Sequence, residues 1–228
     1  MSKPFCIGHR GAKGYRPENT LASFEHALAL GCSWVELDVY HVEEHLLVIH
    51  DKTVDRTTNG TGKVADMSFD ELRELDAGEG QQIPTLDEVI MLIDRRCCIN
   101  VELKGPNTAA PVNQALKRYC SAGWQAEQFL VSSFYHQELA KTDKAYRRGA
   151  LFDTLPDDWV SKAQALDAWS ANFAQNDVSS ELVNTAHDAG LKVLAYTANE
   201  SDDIKRLADA GLDGIFSDFP DRVINFQN

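Results

Sequence analysis

The stretch Trp34-Val35-Glu36-Leu37-Asp38-Val39 alternates acidic with apolar residues inside an otherwise apolar run. Side chains two apart on a β-strand share one face. Glu36 and Asp38 therefore project together, and Val35, Leu37 and Val39 project together on the other side. A solvated edge strand would also alternate in this way, but the flanking apolar residues read as buried. A strand buried on both sides places one face against helices and the other inside a barrel. Two carboxylates in such an interior repel each other and resist desolvation, so their presence calls for a chemical reason.

Around this stretch, short apolar runs alternate with amphipathic segments. Strands are predicted at Pro4–Gly8, Trp34–Tyr40, Leu46–His50, Cys98–Leu103, Phe129–Ser132, Ala150–Phe152, Ala168–Asn172, Val193–Tyr196 and Gly214–Ser217. Helices are predicted at Leu21–Leu30, Leu86–Arg95, Ala109–Ala122, Ser180–Ala189 and Asp202–Ala210. Gly31, Gly123, Gly190 and Gly211 follow four of these helices, where a left-handed residue is favoured. Such alternation means a parallel sheet covered by helices. About eight β-α units in roughly 230 residues suit an α/β fold of the closed (β/α)8 TIM barrel type, with an open doubly wound sheet as the alternative. The expected organisation is one barrel domain over residues 1–228 with a small insertion at 51–84. That insertion is rich in Thr, Gly and Asp and too long for a plain loop. Its one helix should start at the capping box Ser68-Phe69-Asp70-Glu71 and end at Asp76-Ala77-Gly78.

A second strand repeats the acidic pattern. In Cys98-Ile99-Asn100-Val101-Glu102-Leu103-Lys104, residues Asn100, Glu102 and Lys104 share one side. Alone, Glu102 and Lys104 could be a local ion pair. With Glu36 and Asp38 they make a cluster near the C-terminal end of the strands, where barrel enzymes carry their chemistry. Three converging carboxylates need a counter-charge, and a divalent cation would bind all three. An all-oxygen set favours a hard cation, Mg²⁺ or Ca²⁺ with Mn²⁺ also suited, over zinc.

His9 and Arg10, between Gly8 and Gly11, end the first strand at the same mouth, and His50 with Asp51 ends another, where adjacent residues diverge and Asp51 is not expected to orient the His50 ring. Two histidines, an arginine and a lysine beside a cation suit an anionic phosphate. Histidines move protons near neutral pH. Arg10 and Lys104 can hold non-bridging oxygens. Other polar residues read differently. His26 lies in an amphipathic helix, while His41, His45, His136 and His187 read as surface residues. Asp55 to Gly60 reads as turn and capping chemistry. Trp169, Phe173 and Tyr196 either line the mouth or fill the core.

Composition narrows the partners. The formal net charge of −13 disfavours nucleic acid and anionic lipid. No run is long enough to span a bilayer, and the N-terminal residues carry no secretion-signal pattern. Five cysteines without a Cys-x-x-Cys pair fit a reduced, cytoplasmic chain with no structural zinc.

Taken in order, these motifs resemble the glycerophosphodiester phosphodiesterase family. The series runs His9-Arg10-Gly11, Pro17-Glu18-Asn19-Thr20, Glu36-Leu37-Asp38, His50-Asp51 and Arg56-Thr57-Thr58 with Gly60 and Gly62. It continues through Leu75-Asp76-Ala77-Gly78, Ile83-Pro84-Thr85-Leu86, Glu102-Leu103-Lys104 and Gly211-Leu212-Asp213-Gly214-Ile215 to Ser217-Asp218-Phe219-Pro220. The resemblance implies a distorted TIM barrel with an inserted subdomain. It also implies hydrolysis of deacylated phospholipids, such as glycerophosphocholine, to glycerol 3-phosphate and an alcohol. By the same resemblance Glu36, Asp38 and Glu102 would hold one divalent cation, His9 would act as base and His50 as acid, and Arg10 and Lys104 would bind phosphate. Tyr196, where relatives often have tryptophan, and Ser217, where threonine is usual, depart from the pattern. A phospholipase of the same barrel type would need an apolar lip or a basic rim. An inactive phosphodiester-binding protein would be expected to have lost one of the seven polar residues. The sequence therefore favours a small soluble substrate, with neither membrane nor nucleic acid as partner.

Overall fold

The computed structural model describes residues 3–227. Eight parallel strands close into a barrel: β1 (Phe5–Gly8), β2 (Trp34–Val42), β4 (Cys98–Leu103), β5 (Phe129–Ser133), β6 (Arg147–Phe152), β7 (Ser170–Ala174), β8 (Lys192–Tyr196) and β9 (Gly214–Ser217). Closure is made by β1, which pairs with both β2 and β9. The ninth strand, β3 (His45–Val48), runs antiparallel to the outer end of β2 and is not a stave of the barrel. This corrects the strand expected at Leu46–His50: His50 and Asp51 lie beyond β3 in a bend.

Helices α1 (Leu21–Ala29), α3 (Leu86–Ile93), α4 (Ala109–Ser121), α7 (Ser180–Asp188) and α8 (Ser201–Asp209) fall on the five predicted segments, each ending one or two residues earlier than predicted, with α8 starting one residue earlier as well. The helix α2 (Phe69–Arg73) begins with the predicted capping box, in which Ser68 and Glu71 cap each other's backbone. It stops before Asp76, whose carboxylate instead accepts from the Gly78 and Gly80 N–H groups in a turn. Three further helices, α5 (His136–Leu139), α6 (Trp159–Ala165) and α9 (Pro220–Gln227), have no counterpart in the sequence reading. The first two are too short for a clear period. The third begins on a proline, a good first helical residue.

Apolar residues divide into three buried clusters. The largest, between barrel and helices, takes Val35, Leu37 and Val39 from β2 and Ile99, Val101 and Leu103 from β4. A second plugs the barrel floor with Ile7, Trp34, Leu130, Leu194 and Phe216. There Trp34 stacks on Trp169 at 6.2 Å, and the Arg147 guanidinium lies 4.8 Å from the Trp169 ring. Trp169 is thus a floor residue, while Phe173 packs outside against Trp159 and Phe152. The third cluster belongs to the inserted segment, where Val54, Val64, Leu72, Ala77 and Ile83 close over Val42, Leu47 and Ile49. The subdomain therefore rests on β3 and the end of β2, which sets it beside the barrel mouth.

Above the apolar floor, the barrel interior turns polar. Asn100, Ser132, Ser170 and Asn172 are buried, with Ser132 donating to Asn100 at 2.8 Å and Ser170 to Asn172 at 2.8 Å. Going up β2, Trp34, Glu36 and Asp38 mark floor, middle and mouth.

Candidate active site

Strand register brings the carboxylates together. Asp38 pairs with Glu102 and Glu36 with Asn100 across β2 and β4. One oxygen from each of Glu36, Asp38 and Glu102 lies within 4.8 Å of the others. Glu36 and Asp38 are 2% and 1% exposed. Burial first, then the Asp38 and Glu102 charges, push the Glu36 carboxyl well above its ordinary range. Burial and Asp38 likewise raise Glu102 to about 7. Asp38 goes the other way: burial opposes its charge, but Lys104 and Arg10 outweigh it.

The loop after β1 is shaped for close approach. Gly11 has φ +85°, and a Cβ there would stand 2.5 Å from the Ser23 hydroxyl. A Cβ on Gly8 would stand 2.5 Å from the Gly11 carbonyl. The two glycines thus let Arg10 take a left-handed backbone, φ 52°, and aim its N–H at Glu36 Oε2, 2.8 Å away. The Arg10 guanidinium donates to Glu18 at 2.6 Å and lies 3.4 Å from Asp38. Lys104 Nζ donates to Glu102 at 2.7 Å and lies 3.5 Å from Asp38.

Two histidines face this cluster, each held through Nδ1. His9 Nδ1 is 2.6 Å from Asp218, and His50 Nδ1 is 2.6 Å from Asp51. With Nδ1 so engaged, Nε2 is the atom left to meet a substrate. Burial lowers both imidazole pKa values below the ordinary one, against the pull of the paired carboxylates. Asp218 stays ionised: burial opposes its charge, yet the His9 contact holds it at about 2. Asn199 fixes Asp218 further, donating to its carboxylate at 3.0 Å and accepting from its backbone N–H at 2.8 Å. Ser217, the second departure from the family pattern, donates to Asn199 at 3.1 Å and accepts from the Phe219 N–H.

All seven predicted site residues gather at the mouth. An inner cavity of about 230 Å³ is lined by His9, Arg10, Glu36, His50, Glu102 and Lys104, with Leu151, Tyr196 and Phe216 as its apolar side. A wider cleft of about 680 Å³ shares His50, Glu102, Lys104 and Phe134 with it and continues past Tyr40 and Tyr135. Tyr196 donates its hydroxyl to the Phe152 carbonyl at 2.6 Å, which turns its ring toward the inner cavity.

Sequence reading missed the residues that orient others. Asp51 was not expected to touch His50, because neighbours on a strand diverge, but neither residue is on one. Asn19, also left-handed, donates to Asp38 at 2.9 Å. Arg56, read as turn chemistry, reaches Glu18 and Asp51. His26, His41, His45, His136 and His187 stay outside the two cavities.

The Glu18 pairing has a measurable signature. Burial opposes its charge, but hydrogen bonds from Arg56 and Arg10 outweigh it and hold the carboxyl at about 2. A depressed carboxyl stabilises the fold above its unfolded pKa and loses that contribution as pH falls through the folded value. Glu18→Gln should therefore cost on the order of 3 kcal/mol at pH 7. Urea melts of both proteins should show the gap closing between about pH 4.5 and 2. A gap that does not change with pH would contradict this account.

The residues fit a cation. Glu36 Oε1, Asp38 Oδ1 and Asn19 Oδ1 are buried oxygens without a hydrogen-bond donor, all on or beside the carboxylate cluster, and of the three Asp38 Oδ1 has the Lys104 ammonium at 3.5 Å. Such orphaned acceptors are costly unless something positive meets them. All candidate donors are oxygens, the ligand set of a hard divalent ion.

Comparison with known proteins agrees with this geometry. The profile of the glycerophosphoryl diester phosphodiesterase family matches residues 9–222. The chain is 36% identical over 241 residues to a glycerophosphodiester phosphodiesterase of Caldanaerobacter subterraneus, covering 98% of this chain and 97% of that protein. It is 35% identical over 243 residues to one of Bacillus altitudinis, covering 100% and 98%. Among solved structures, an Oleispira antarctica phosphodiesterase in complex with the product sn-glycerol 3-phosphate superposes with a TM-score of 0.89. That pair is 32% identical, with coverage of 98% of this chain and 96% of the other.

Proposed function

The chain belongs to the glycerophosphoryl diester phosphodiesterase family and hydrolyses glycerophosphodiesters to sn-glycerol 3-phosphate and an alcohol, and on that premise we propose how its residues divide the reaction. Glu36, Asp38 and Glu102, with Asn19 beside them, would hold one divalent cation, Mg²⁺ or Ca²⁺ with Mn²⁺ also suited. When bound, it supplies positive charge to the phosphate oxygens and to the attacking hydroxyl. Arg10 and Lys104 bind the non-bridging oxygens by exchanging part of their present carboxylate contacts for phosphate.

The observation that carries the reading is the pair of histidines, each clamped by a carboxylate at 2.6 Å, on one cavity with three clustered carboxylates. His9 lines only the inner cavity, beside the apolar wall that suits the glycerol carbons. It is the base that takes the proton of the attacking hydroxyl, either that of water or that of glycerol C2, in which case water then opens the cyclic phosphate. His50 stands where the inner cavity meets the outer cleft. The alcohol leaves through that cleft, so His50 is the acid that protonates its oxygen. Burial lowers the affinity of both rings for protons, and an arriving phosphodiester anion restores it on the side it meets. A cytoplasmic location and a substrate free in solution complete the reading. The five unpaired cysteines and the acidic chain favour both. Among the described residues, no helix is long and apolar enough to cross a membrane.

The decisive assay is release of glycerol 3-phosphate from glycerophosphocholine. Chelator should abolish it, and Mg²⁺, Mn²⁺ or Ca²⁺ should restore it. Full rate in excess chelator would end the cation assignment. Intact phosphatidylcholine vesicles should be poor substrates, and comparable rates on them would favour a phospholipase. Tyr135, an exposed ring on the outer cleft, should touch only the departing alcohol. Tyr135→Ala should raise KM for glycerophosphocholine about 2- to 5-fold through lost cation–π contact, with kcat held. An unchanged KM would move the alcohol elsewhere.

A further inference from the structure

The turn that opens the inserted segment is held together without the Arg56 side chain. Thr58 donates to the Val54 carbonyl at 2.8 Å, and the Gly62 N–H donates to Asp55 at 3.1 Å. These contacts account for the turn. Arg56 instead reaches back to the barrel mouth. Its Nε donates to Asp51 Oδ2 at 2.6 Å, and its Nη1 and Nη2 donate to the two oxygens of Glu18 at 2.8 Å each.

Both carboxylates already hold a group in the cavity. Asp51 Oδ1 meets His50 Nδ1, and Glu18 Oε1 accepts from Arg10 at 2.6 Å. One guanidinium therefore joins His50, Asp51, Arg56, Glu18 and Arg10 into a continuous chain of hydrogen bonds. A half-exposed arginine making one ion pair would contribute little. Arg56 is 48% exposed, but it forks across a carboxylate that is only 10% exposed and spends a third N–H on a second one. His9 has no such link. Its carboxylate, Asp218, is fixed instead by Asn199 from the loop after β8, with Lys13 at 3.5 Å.

We propose that Arg56 is a positioning residue that holds the His50 ring through Asp51, braced on the Glu18 carboxylate that also carries Arg10, so that the inserted segment takes part in catalysis through this side chain. The inference rests on the role given above to His50. Without the fork, Asp51 keeps its charge but loses its fixed direction, and the His50 ring loses its alignment with the departing oxygen. A planar guanidinium with three aimed N–H groups does this; an ammonium does not.

The test uses two substrates: glycerophosphocholine, whose alcohol needs a proton, and the p-nitrophenyl ester of glycerol phosphate, whose phenolate does not. Arg56→Gln should lower kcat on glycerophosphocholine by about 10- to 100-fold, the scale of a small misplacement of a reacting group. The loss on the activated ester should be much smaller. Adding Arg56→Gln to His50→Ala should cost little more, because residues acting through one group are not additive. Arg56→Lys should recover only part of the rate. Full recovery by lysine would assign the effect to charge and overturn positioning. So would equal losses on both substrates, or full additivity with His50→Ala. Asp51→Asn, which leaves the fork on Glu18 intact, should give the same substrate-dependent loss and serves if Arg56→Gln melts early. Wild-type protein that releases no glycerol 3-phosphate would instead refute the reading on which the inference stands. An active wild type with an unaffected Arg56→Gln refutes only the inference.

Discussion

Replacing Glu36 by glutamine, Asp38 by asparagine or Glu102 by glutamine should cut the release of glycerol 3-phosphate by about 10³-fold or more, several kcal/mol of barrier. In the cation-free protein Glu36→Gln should raise stability and Glu102→Gln should leave it no lower, whereas Asp38→Asn should lower it, because Lys104 and Arg10 favour the Asp38 charge. For Glu36 the reason is the crowding at the mouth. Burial and two neighbouring carboxylates hold Glu36 far from its comfortable ionised state, and its Oε1 meets no donor. An amide in its place removes one like charge. The cation provides a second readout. A ligand of the native state at a hundredfold excess over its Kd adds about 2.7 kcal/mol, roughly 5–10 °C in Tm for a chain of this size. Wild-type protein titrated with Mg²⁺, Mn²⁺ or Ca²⁺ after chelation should show that rise, and the three variants should lose most of it. Variants that keep both activity and the thermal shift would refute the assigned ligands.

The second large effect separates the histidines. His50→Ala should be nearly inactive on glycerophosphocholine, falling by roughly 10²–10⁴-fold. On the p-nitrophenyl ester of glycerol phosphate it should recover most of its rate, because a weakly basic phenolate leaves without a proton. His9→Ala should stay slow on both, since the attacking hydroxyl still needs a base. The opposite pattern would exchange the two roles. Equal losses on both substrates for both variants would reduce the histidines to holding phosphate.

Much of this site was legible before any coordinates, because a strand has a strict two-residue period. Glu36 with Asp38, and Glu102 with Lys104, could be placed on one interior face from spacing alone, and β2 and β4 set them side by side in register. His9, Arg10 and His50 could be set at the same mouth as residues that follow predicted strands, and the ordered motifs run through all seven. What spacing could not supply was contact between loops. Asp218 is 209 residues from His9, and Arg56 is 38 residues from Glu18. No periodicity relates such pairs; only the closed barrel and the seated subdomain do. Asp51 was missed for the opposite reason. A strand was carried too far, to His50, and the alternation that separates neighbours was applied to a bend. The subdomain's short helix overran for a related cause, since Gly78 follows a turn made by Asp76 and not the helix end.

The pairing of β1 with β9 ties chemistry to the order in which the chain is made. The three carboxylates, both histidines, Arg10 and Lys104 all lie within the first 104 residues. Yet His9 receives its orienting carboxylate from Asp218, one residue past the last stave, and its backbone N–H donates to the Ser217 carbonyl at 3.0 Å. A ribosome thus delivers nearly every reactive group early and the aligning group last. A chain stopped before residue 214 would carry the whole reactive set around an unfinished cylinder, with the His9 ring free to turn. Hydrolysis should therefore appear in one step, when the final strand docks, and not grow as the chain lengthens. The same adjacency sets the start of the first stave beside the start of the last: the Phe5 N–H donates to the Asp213 carbonyl at 2.8 Å.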